Sequence, residues 1–159
     1  MRRLVILGST GSIGTQTIDV IEGDPEIKVT GLAVHGSIEQ LKAQVEKLHP
    51  EAVCIYDEAK AETIRSYGLP VKVLTGMDVL IQLATMEHCD EVVVSVVGMI
   101  GIQPTIAGLK AHKQVALANE MKIGDDQVAP RIPARLRRLQ SHHLDAFGFH
   151  HQIGQGLVH

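Results

Sequence analysis

Leu4-Val5-Ile6-Leu7-Gly8-Ser9-Thr10-Gly11-Ser12-Ile13-Gly14 decides the fold of this 159-residue chain. Leu4 to Leu7 is an unbroken apolar run without helical spacing, the pattern of a strand buried on both faces. Gly8, Gly11 and Gly14 then punctuate a turn into a helix that begins near Ser12. The first amides of a helix have no carbonyl partner and carry partial positive charge, so a diphosphate can settle there if no side chain blocks the backbone. Glycine removes the block. The spacing is Gly-x-x-Gly-x-x-Gly rather than the usual Gly-x-Gly-x-x-Gly, and Ser9, Thr10 and Ser12 add hydroxyls able to donate to phosphate oxygens. Such a trio also suits a tight turn with no ligand; the strand before it and the helix after it favour dinucleotide binding.

Composition narrows the function classes. At 45% hydrophobic residues the chain can bury one core of ordinary size, which makes one domain the expectation. Aromatic residues make up 3%, too few for stacking platforms, and the formal net charge of -3 offers no basic footprint, so nucleic acid is excluded as a partner. Cys54 and Cys89 form no Cys-x-x-Cys and read as small buried residues of a reducing compartment. Met1 is followed almost at once by the first strand, without a charged-then-apolar leader, and no apolar run approaches bilayer length. The expectation is a cytoplasmic protein with no membrane partner.

Outward from the glycine turn, helical and strand patterns alternate. Ser12 to Ile21 is a helix closed by Gly23 and Pro25, and Ile27 to Val34 a strand closed by His35, Gly36 and Ser37. Ile38 to Leu48 is a second helix, stopped at His49-Pro50. Ala52 to Tyr56, Glu58 to Tyr67 and Val71 to Leu74 follow as strand, helix and strand, then a helix through Val79, Leu80 and Leu83. Glu91 to Val97 is the most β-branched run and delivers Gly98 and Gly101 at its carboxyl end. Pro104 to Ala111 reads as a helix with proline in its first turn, and Val115 to Ala118 as the last strand, ending at Asn119. About six strands alternating with helices make an α/β fold with a doubly wound parallel sheet. The glycine turn, the His35 to Ser37 turn, the Gly98 to Gly101 loop and Asn119 all fall at strand carboxyl ends, where one crevice can collect them.

The second of those turns bears on cofactor choice. An acid there accepts from both ribose hydroxyls and repels a 2'-phosphate, and no acid occurs before Glu39, which leans towards NADPH. No Arg or Lys stands in the turn, and His35 is its one side chain able to become cationic. A phosphate role for His35 and a plain exposed loop histidine both remain open.

Three ordered motifs then become recognisable. Gly8 to Ile21 (GSTGSIGTQTIDVI), Val96 to Thr105 (VVGMIGIQPT) and Ala116 to Asn119 (ALAN) closely resemble the amino-terminal domain of the 1-deoxy-D-xylulose 5-phosphate reductoisomerases, over residues 1–119. The resemblance implies a Rossmann-like NAD(P)-binding domain. It also implies a family activity: NADPH-dependent rearrangement and reduction of 1-deoxy-D-xylulose 5-phosphate to 2-C-methyl-D-erythritol 4-phosphate, with a divalent metal (Mg or Mn), by a homodimer, in the non-mevalonate isoprenoid pathway. By the same resemblance Thr10, Gly11, Ser12 and Ile13 line the NADPH phosphates, Gly36 and Ser37 lie by the adenosine ribose, and Asn119 stands near the nicotinamide. The ribose turn departs from the family's small-Gly-basic-Asn pattern, with His35 where Gly is common and Gly36 where Lys is common.

After Asn119 the departure widens. The family continues Asn-Lys-Glu and then Asp-Ser-Glu, whose carboxylates hold the metal that polarises the substrate carbonyl. Here Glu120-Met121-Lys122 follows, and Asp-Ser-Glu occurs nowhere in the chain. The reading therefore assigns no catalytic or metal-ligating residue and expects no turnover from this chain alone. Residues 120–159 gather Arg131, Arg135, Arg137 and Arg138 with His142, His143, His150, His151 and His159, and show no sustained period. They are expected to be an irregular or disordered tail, an out-of-frame or otherwise aberrant continuation. Transition-metal binding by the paired histidines is a rival, opposed by the break at Phe147-Gly148-Phe149. For the whole chain the rivals are a short-chain or semialdehyde dehydrogenase fragment and a non-catalytic nucleotide-binding remnant. Tyr67 lacks the Lys four residues on that the short-chain pattern requires, whereas Tyr56 has Lys60 at that spacing.

Overall fold

The computed structural model describes residues 1–96 and 98–117, and the expectations for Asn119 and for residues 120–159 lie outside them. Six strands alternate with five helices: β1 (Arg2–Leu7), α1 (Ser12–Ile21), β2 (Ile27–Val34), α2 (Ile38–Leu48), β3 (Ala52–Ile55), α3 (Glu58–Ser66), β4 (Lys72–Thr75), α4 (Met77–Thr85), β5 (Glu91–Val94), α5 (Ile102–Lys110) and β6 (Gln114–Leu117). A short 3-10 turn, Gly98–Gly101, leads into α5. The strands form one sheet in the order β4-β3-β2-β1-β5-β6, and each neighbouring pair is parallel. The chain winds outward from β1 through β4, then crosses back to β5 and β6. The order therefore reverses between β1 and β5, the place where open parallel sheets form a ligand crevice.

The core explains the apolar run that opens the chain. Leu4 and Ile6 of β1 face one layer with Ile18 of α1, Leu41 and Val45 of α2 and Ile64 of α3. Val5 and Leu7 face the other, with Leu80, Leu83 and Ala84 of α4 and Val92 and Val94 of β5. Alternate side chains point to opposite faces of a strand, and helices cover both faces here, so no position in Leu4 to Leu7 can be polar. Cys54 and Cys89 are unpaired and buried in the second layer, and burial pushes each thiol up to about 11. His49 adopts a left-handed φ of 48° and Pro50 follows, which ends α2 where the sequence predicts.

Several boundaries move for physical reasons. β1 begins at Arg2 because long-range partners hold two arginines at its start: Arg3 forks onto both carboxylate oxygens of Asp90 (3.0 and 2.8 Å), and Arg2 reaches Glu91 at 3.3 Å. Glu91 itself is 1% exposed, and burial raises its carboxyl above the usual range. β5 stops at Val94, not Val97, because the Ser95 hydroxyl donates back to the Leu7 carbonyl (2.7 Å) and turns the chain towards β1. β3 ends at Ile55 and α3 at Ser66, each one residue early, β4 is shifted to Lys72–Thr75, and β6 runs to Leu117, the last described residue, so the expected end at Ala118 lies outside the described residues. α5 starts at Ile102, so Pro104 is its third residue and costs no helical hydrogen bond.

The Arg3–Asp90 fork carries a pH prediction. Hydrogen bonds from the Arg3 guanidinium, and then from its backbone amide, hold the Asp90 carboxyl down to about 2. A carboxyl depressed in the folded state stabilises the fold above its unfolded value and loses that contribution as pH falls towards its folded value. Both side chains are more than a third exposed, so the pair is worth at most about 1 kcal/mol. Asp90→Asn is expected to destabilise by up to that amount at neutral pH in urea unfolding, and the gap to the parent should shrink between about pH 4 and pH 2. A gap independent of pH would contradict this assignment.

Candidate functional site

The turn after β1 is built from three glycines with different duties. Gly8 has a φ of +88°, and a β-carbon on it would stand 2.7 Å from the Ser95 carbonyl oxygen. Gly14 sits where α1 crosses the turn, and a β-carbon there would lie 2.1 Å from the Gly8 carbonyl oxygen and 2.7 Å from the Ser9 α-carbon. Gly11 is different. It is exposed, and a β-carbon would meet only the Gly8 carbonyl oxygen, at 3.4 Å. The first and third let the backbone fold this tightly; the second leaves open the space in front of the helix.

Gly11 caps α1 with extended backbone (φ -74°, ψ 170°), no side chain occupies the cap, and the first turn contains no acidic residue. The first helical hydrogen bond onto the cap carbonyl comes from Thr15, at 2.9 Å. The amides of Ser12, Ile13 and Gly14 find no acceptor among the described residues. Unmet amides at the positive end of a ten-residue helix, with Ser12 exposed and Thr10 half-buried beside them, form an anion site. Ile13 is 37% exposed, an apolar side chain left uncovered at the same place.

Ser9 takes no part. Its side chain is fully buried, its hydroxyl donates to Gln44 Oε1 (2.7 Å), and Gln44 Nε2 donates to the Ser9 carbonyl (2.9 Å). The expectation that this hydroxyl serves phosphate is corrected: it ties the turn to α2. Gln44 and Ser95 are the residues that reading the sequence missed here. Gln44 lies three residues after Leu41 and four before Leu48, a polar residue on the edge of the apolar stripe of α2, and Ser95 is the one hydroxyl in the β-branched run after Glu91.

The structure brings the ribose turn to the same edge. Leu7 pairs with Ala33, and the Ala33 carbonyl accepts from both Gly8 and Ser9 amides at 2.8 and 3.0 Å, so the glycine turn hangs from the strand that ends at His35-Gly36-Ser37. His35 is exposed and stacks on Tyr56 (centroids 5.6 Å apart, planes 25° from parallel). Ser37 caps α2 without a side-chain hydrogen bond, leaving its hydroxyl free of the helix it starts. Glu39, the first acid after the turn, accepts from the Tyr67 hydroxyl at 2.8 Å. The sequence places no cation in this turn, but the fold delivers one: Lys60 of α3 lies against Gly36, its Nζ 2.9 Å from where a β-carbon would be.

Thr10, Gly11, Ser12 and Ile13 thus share one helix start, Gly36 and Ser37 stand on the neighbouring strand's carboxyl end, and Asn119 is outside the described residues. The Gly98–Gly101 turn follows β5, on the other side of β1. A cleft of about 250 Å³ lined by Ala52, Leu74, Leu83 and Met86 borders the starts of β3 and β4 and plays no part in this arrangement. Among the described residues no three His, Cys, Asp or Glu side chains converge as metal ligands, and no helix is long and apolar enough to cross a membrane.

Residues 4–123 match the family model described as 1-deoxy-D-xylulose 5-phosphate reductoisomerase. The chain belongs to that family. The 1-deoxy-D-xylulose 5-phosphate reductoisomerase of Lachnoclostridium phytofermentans is 45% identical over 122 residues, covering 76% of this chain and 31% of the relative. That of Desulfitobacterium hafniense (strain DSM 10664 / DCB-2) is 37% identical over 155 residues, covering 92% of this chain and 41% of its own. Likeness to the reductoisomerases therefore runs beyond Asn119. The chain spans about a third to two fifths of the length of these relatives. Among solved structures, the Zymomonas mobilis reductoisomerase in complex with NADPH superposes with a TM-score of 0.71 at 28% identity, covering 77% of this chain and 33% of that one. A reductoisomerase in complex with NADPH, fosmidomycin and magnesium gives 0.69 at 32% identity, covering 75% and 30%.

Proposed function

We propose that residues 1–119 bind NADPH as the amino-terminal cofactor domain of a 1-deoxy-D-xylulose 5-phosphate reductoisomerase. The observation that carries this reading is the row of unmet amides at Ser12, Ile13 and Gly14 behind the uncovered Gly11. These amides, with the Ser12 hydroxyl, receive the pyrophosphate; Gly36 and Ser37 receive the adenosine ribose one strand over. Asn119, next along from β6, takes the nicotinamide end. Bound there, the nicotinamide supplies a hydride, and the protein's task is to fix its position and keep charge balanced around the diphosphate. Family membership and the likeness to two NADPH complexes support the choice of cofactor.

The activity of the complete enzyme, conversion of 1-deoxy-D-xylulose 5-phosphate to 2-C-methyl-D-erythritol 4-phosphate, needs a hard divalent metal on oxygen ligands. The 159 residues contain no Asp-Ser-Glu, so we assign this chain cofactor binding without turnover, and assign the metal and the homodimer to the complete enzyme alone. Two unpaired, buried thiols suit a reducing compartment, consistent with a cytoplasmic site of action.

A melting curve with and without NADPH tests the proposal. A ligand that binds only the folded state at a hundred times its Kd adds about 2.7 kcal/mol, which for a domain of this size is a rise of roughly 5–10 °C in Tm. An unchanged midpoint at millimolar NADPH, with no saturable fluorescence change, would remove the cofactor role and leave a nucleotide-free remnant.

A further inference from the structure

We propose that Lys60, reaching across from α3, is the residue that makes this site prefer a dinucleotide carrying a 2'-phosphate, an inference that rests on the cofactor reading above. Selectivity between the two nicotinamide cofactors is set where the second strand ends, by an acid that accepts from the ribose hydroxyls or by a cation that pairs with the 2'-phosphate. In this chain the turn His35-Gly36-Ser37 contains no acid and no Lys or Arg, only the titratable His35 stacked on Tyr56. What fills it comes from elsewhere in the sequence. The Lys60 side chain passes over Gly36 with Cδ at 3.0 Å, Nζ at 2.9 Å and Cε at 3.4 Å from the position of a β-carbon. Glycine at 36 is therefore more than a turn residue: its missing side chain is the space in which the lysine lies.

The charges around that ammonium leave it available. Its one ion-pair partner among the described residues is Asp57, at 4.0 Å, the outer limit for such a pair. Asp57 is already engaged as the cap of α3, its other carboxylate oxygen accepting from the Ala59 amide at 3.1 Å. Glu39 is turned to Tyr67 and so does not occupy the ribose side of the turn as a competing acceptor. The Asp57 amide donates to the His35 carbonyl (3.0 Å) and the Tyr56 amide to the Val34 carbonyl (2.9 Å), so the start of α3 is fastened to the ribose turn. Backbone hydrogen bonds thus bring the helix that carries Lys60 to Gly36, although the lysine lies 24 positions further along the chain. Ser37 adds a hydroxyl not used in capping α2. A phosphate monoester at this turn meets an ammonium and a hydroxyl, whereas a free 2'-hydroxyl meets no carboxylate.

Fluorescence titration of the full chain with NADPH and with NADH, for the parent, Lys60→Met and Lys60→Arg, tests the assignment. Lys60 is about half exposed, so both variants should melt close to the parent. The parent is expected to bind NADPH more tightly than NADH. In Lys60→Met the NADPH-to-NADH affinity ratio should fall about tenfold, the worth of one charge-assisted hydrogen bond, and in Lys60→Arg it should stay within about threefold of the parent. If the parent binds both cofactors and the Lys60→Met ratio is unchanged, or if Lys60→Arg loses as much as Lys60→Met, the assignment of Lys60 is overturned while the cofactor reading stands. If the parent binds neither, the cofactor reading fails and takes the role of Lys60 with it.

Discussion

Gly11→Asp is expected to abolish dinucleotide binding and to leave the fold standing. The backbone at Gly11 has the extended geometry typical of a helix cap, and a β-carbon there meets nothing closer than 3.4 Å. Aspartate is among the favoured residues for such a position, with a carboxylate that accepts from the second or third amide of the helix, and it differs from glycine there by a few tenths of a kcal/mol. Those are the amides that the proposed function gives to the pyrophosphate. The substitution satisfies them internally and sets a negative charge in the path of an anion. Losing two charge-assisted hydrogen bonds, each worth about 1.5–3 kcal/mol, predicts at least a 100-fold loss of NADPH affinity. Titration and a melting curve on the same sample check both halves. Undiminished binding by Gly11→Asp would mean that the helix start is not where the diphosphate sits.

Gly14→Ala, three residues on, should do the reverse: it damages the fold first and binding only as a result. Its new methyl would fall 2.1 Å from the Gly8 carbonyl oxygen and 2.7 Å from the Ser9 α-carbon, and both are main-chain atoms without a rotamer to change. Either α1 lifts from the sheet or the turn opens. The turn is pinned by the Ser9–Gln44 pair and by Ser95, whose hydroxyl bonds the Leu7 and Gly8 carbonyls at 2.7 and 3.1 Å. Overpacking against an unyielding neighbour costs about 3 kcal/mol or more, a fall of roughly 10 °C in Tm for a domain of this size. Urea unfolding measures it directly. A variant within 0.5 kcal/mol of the parent, on the same order as an ordinary surface change, would show that the crossing is looser than these distances require.

The contrast between these glycines marks how far the sequence could be read. That a glycine turn into a helix follows the first strand was legible, because a doubly covered parallel strand must be apolar at every position and Leu4 to Leu7 is. The alternation of strands and helices, and hence the sheet, followed from the same rule and from caps such as His49-Pro50. Which glycine serves access and which serves packing was not legible, since three identical letters differ only in what lies opposite them. The same limit accounts for Ser9, a phosphate donor by sequence adjacency and a structural tie once Gln44, 35 positions away, closes on it. It accounts equally for Arg2 and Arg3, which extend β1 only because Asp90 and Glu91 wait one strand over. Lys60 carried no local signal at all. Its place at the ribose turn is a product of how β3 and α3 are fastened to the end of β2.

The shared acceptor at Ala33 and the two-way clasp between Ser9 and Gln44 have an energetic consequence for any ligand. In the proposed complex the cradle for the diphosphate and the ledge for the adenosine belong to one hydrogen-bonded unit, joined through β1, β2 and α2. A molecule that lands on either part finds the other already in place. Little of its attraction is then spent on freezing loops, so a small number of contacts suffices for tight capture.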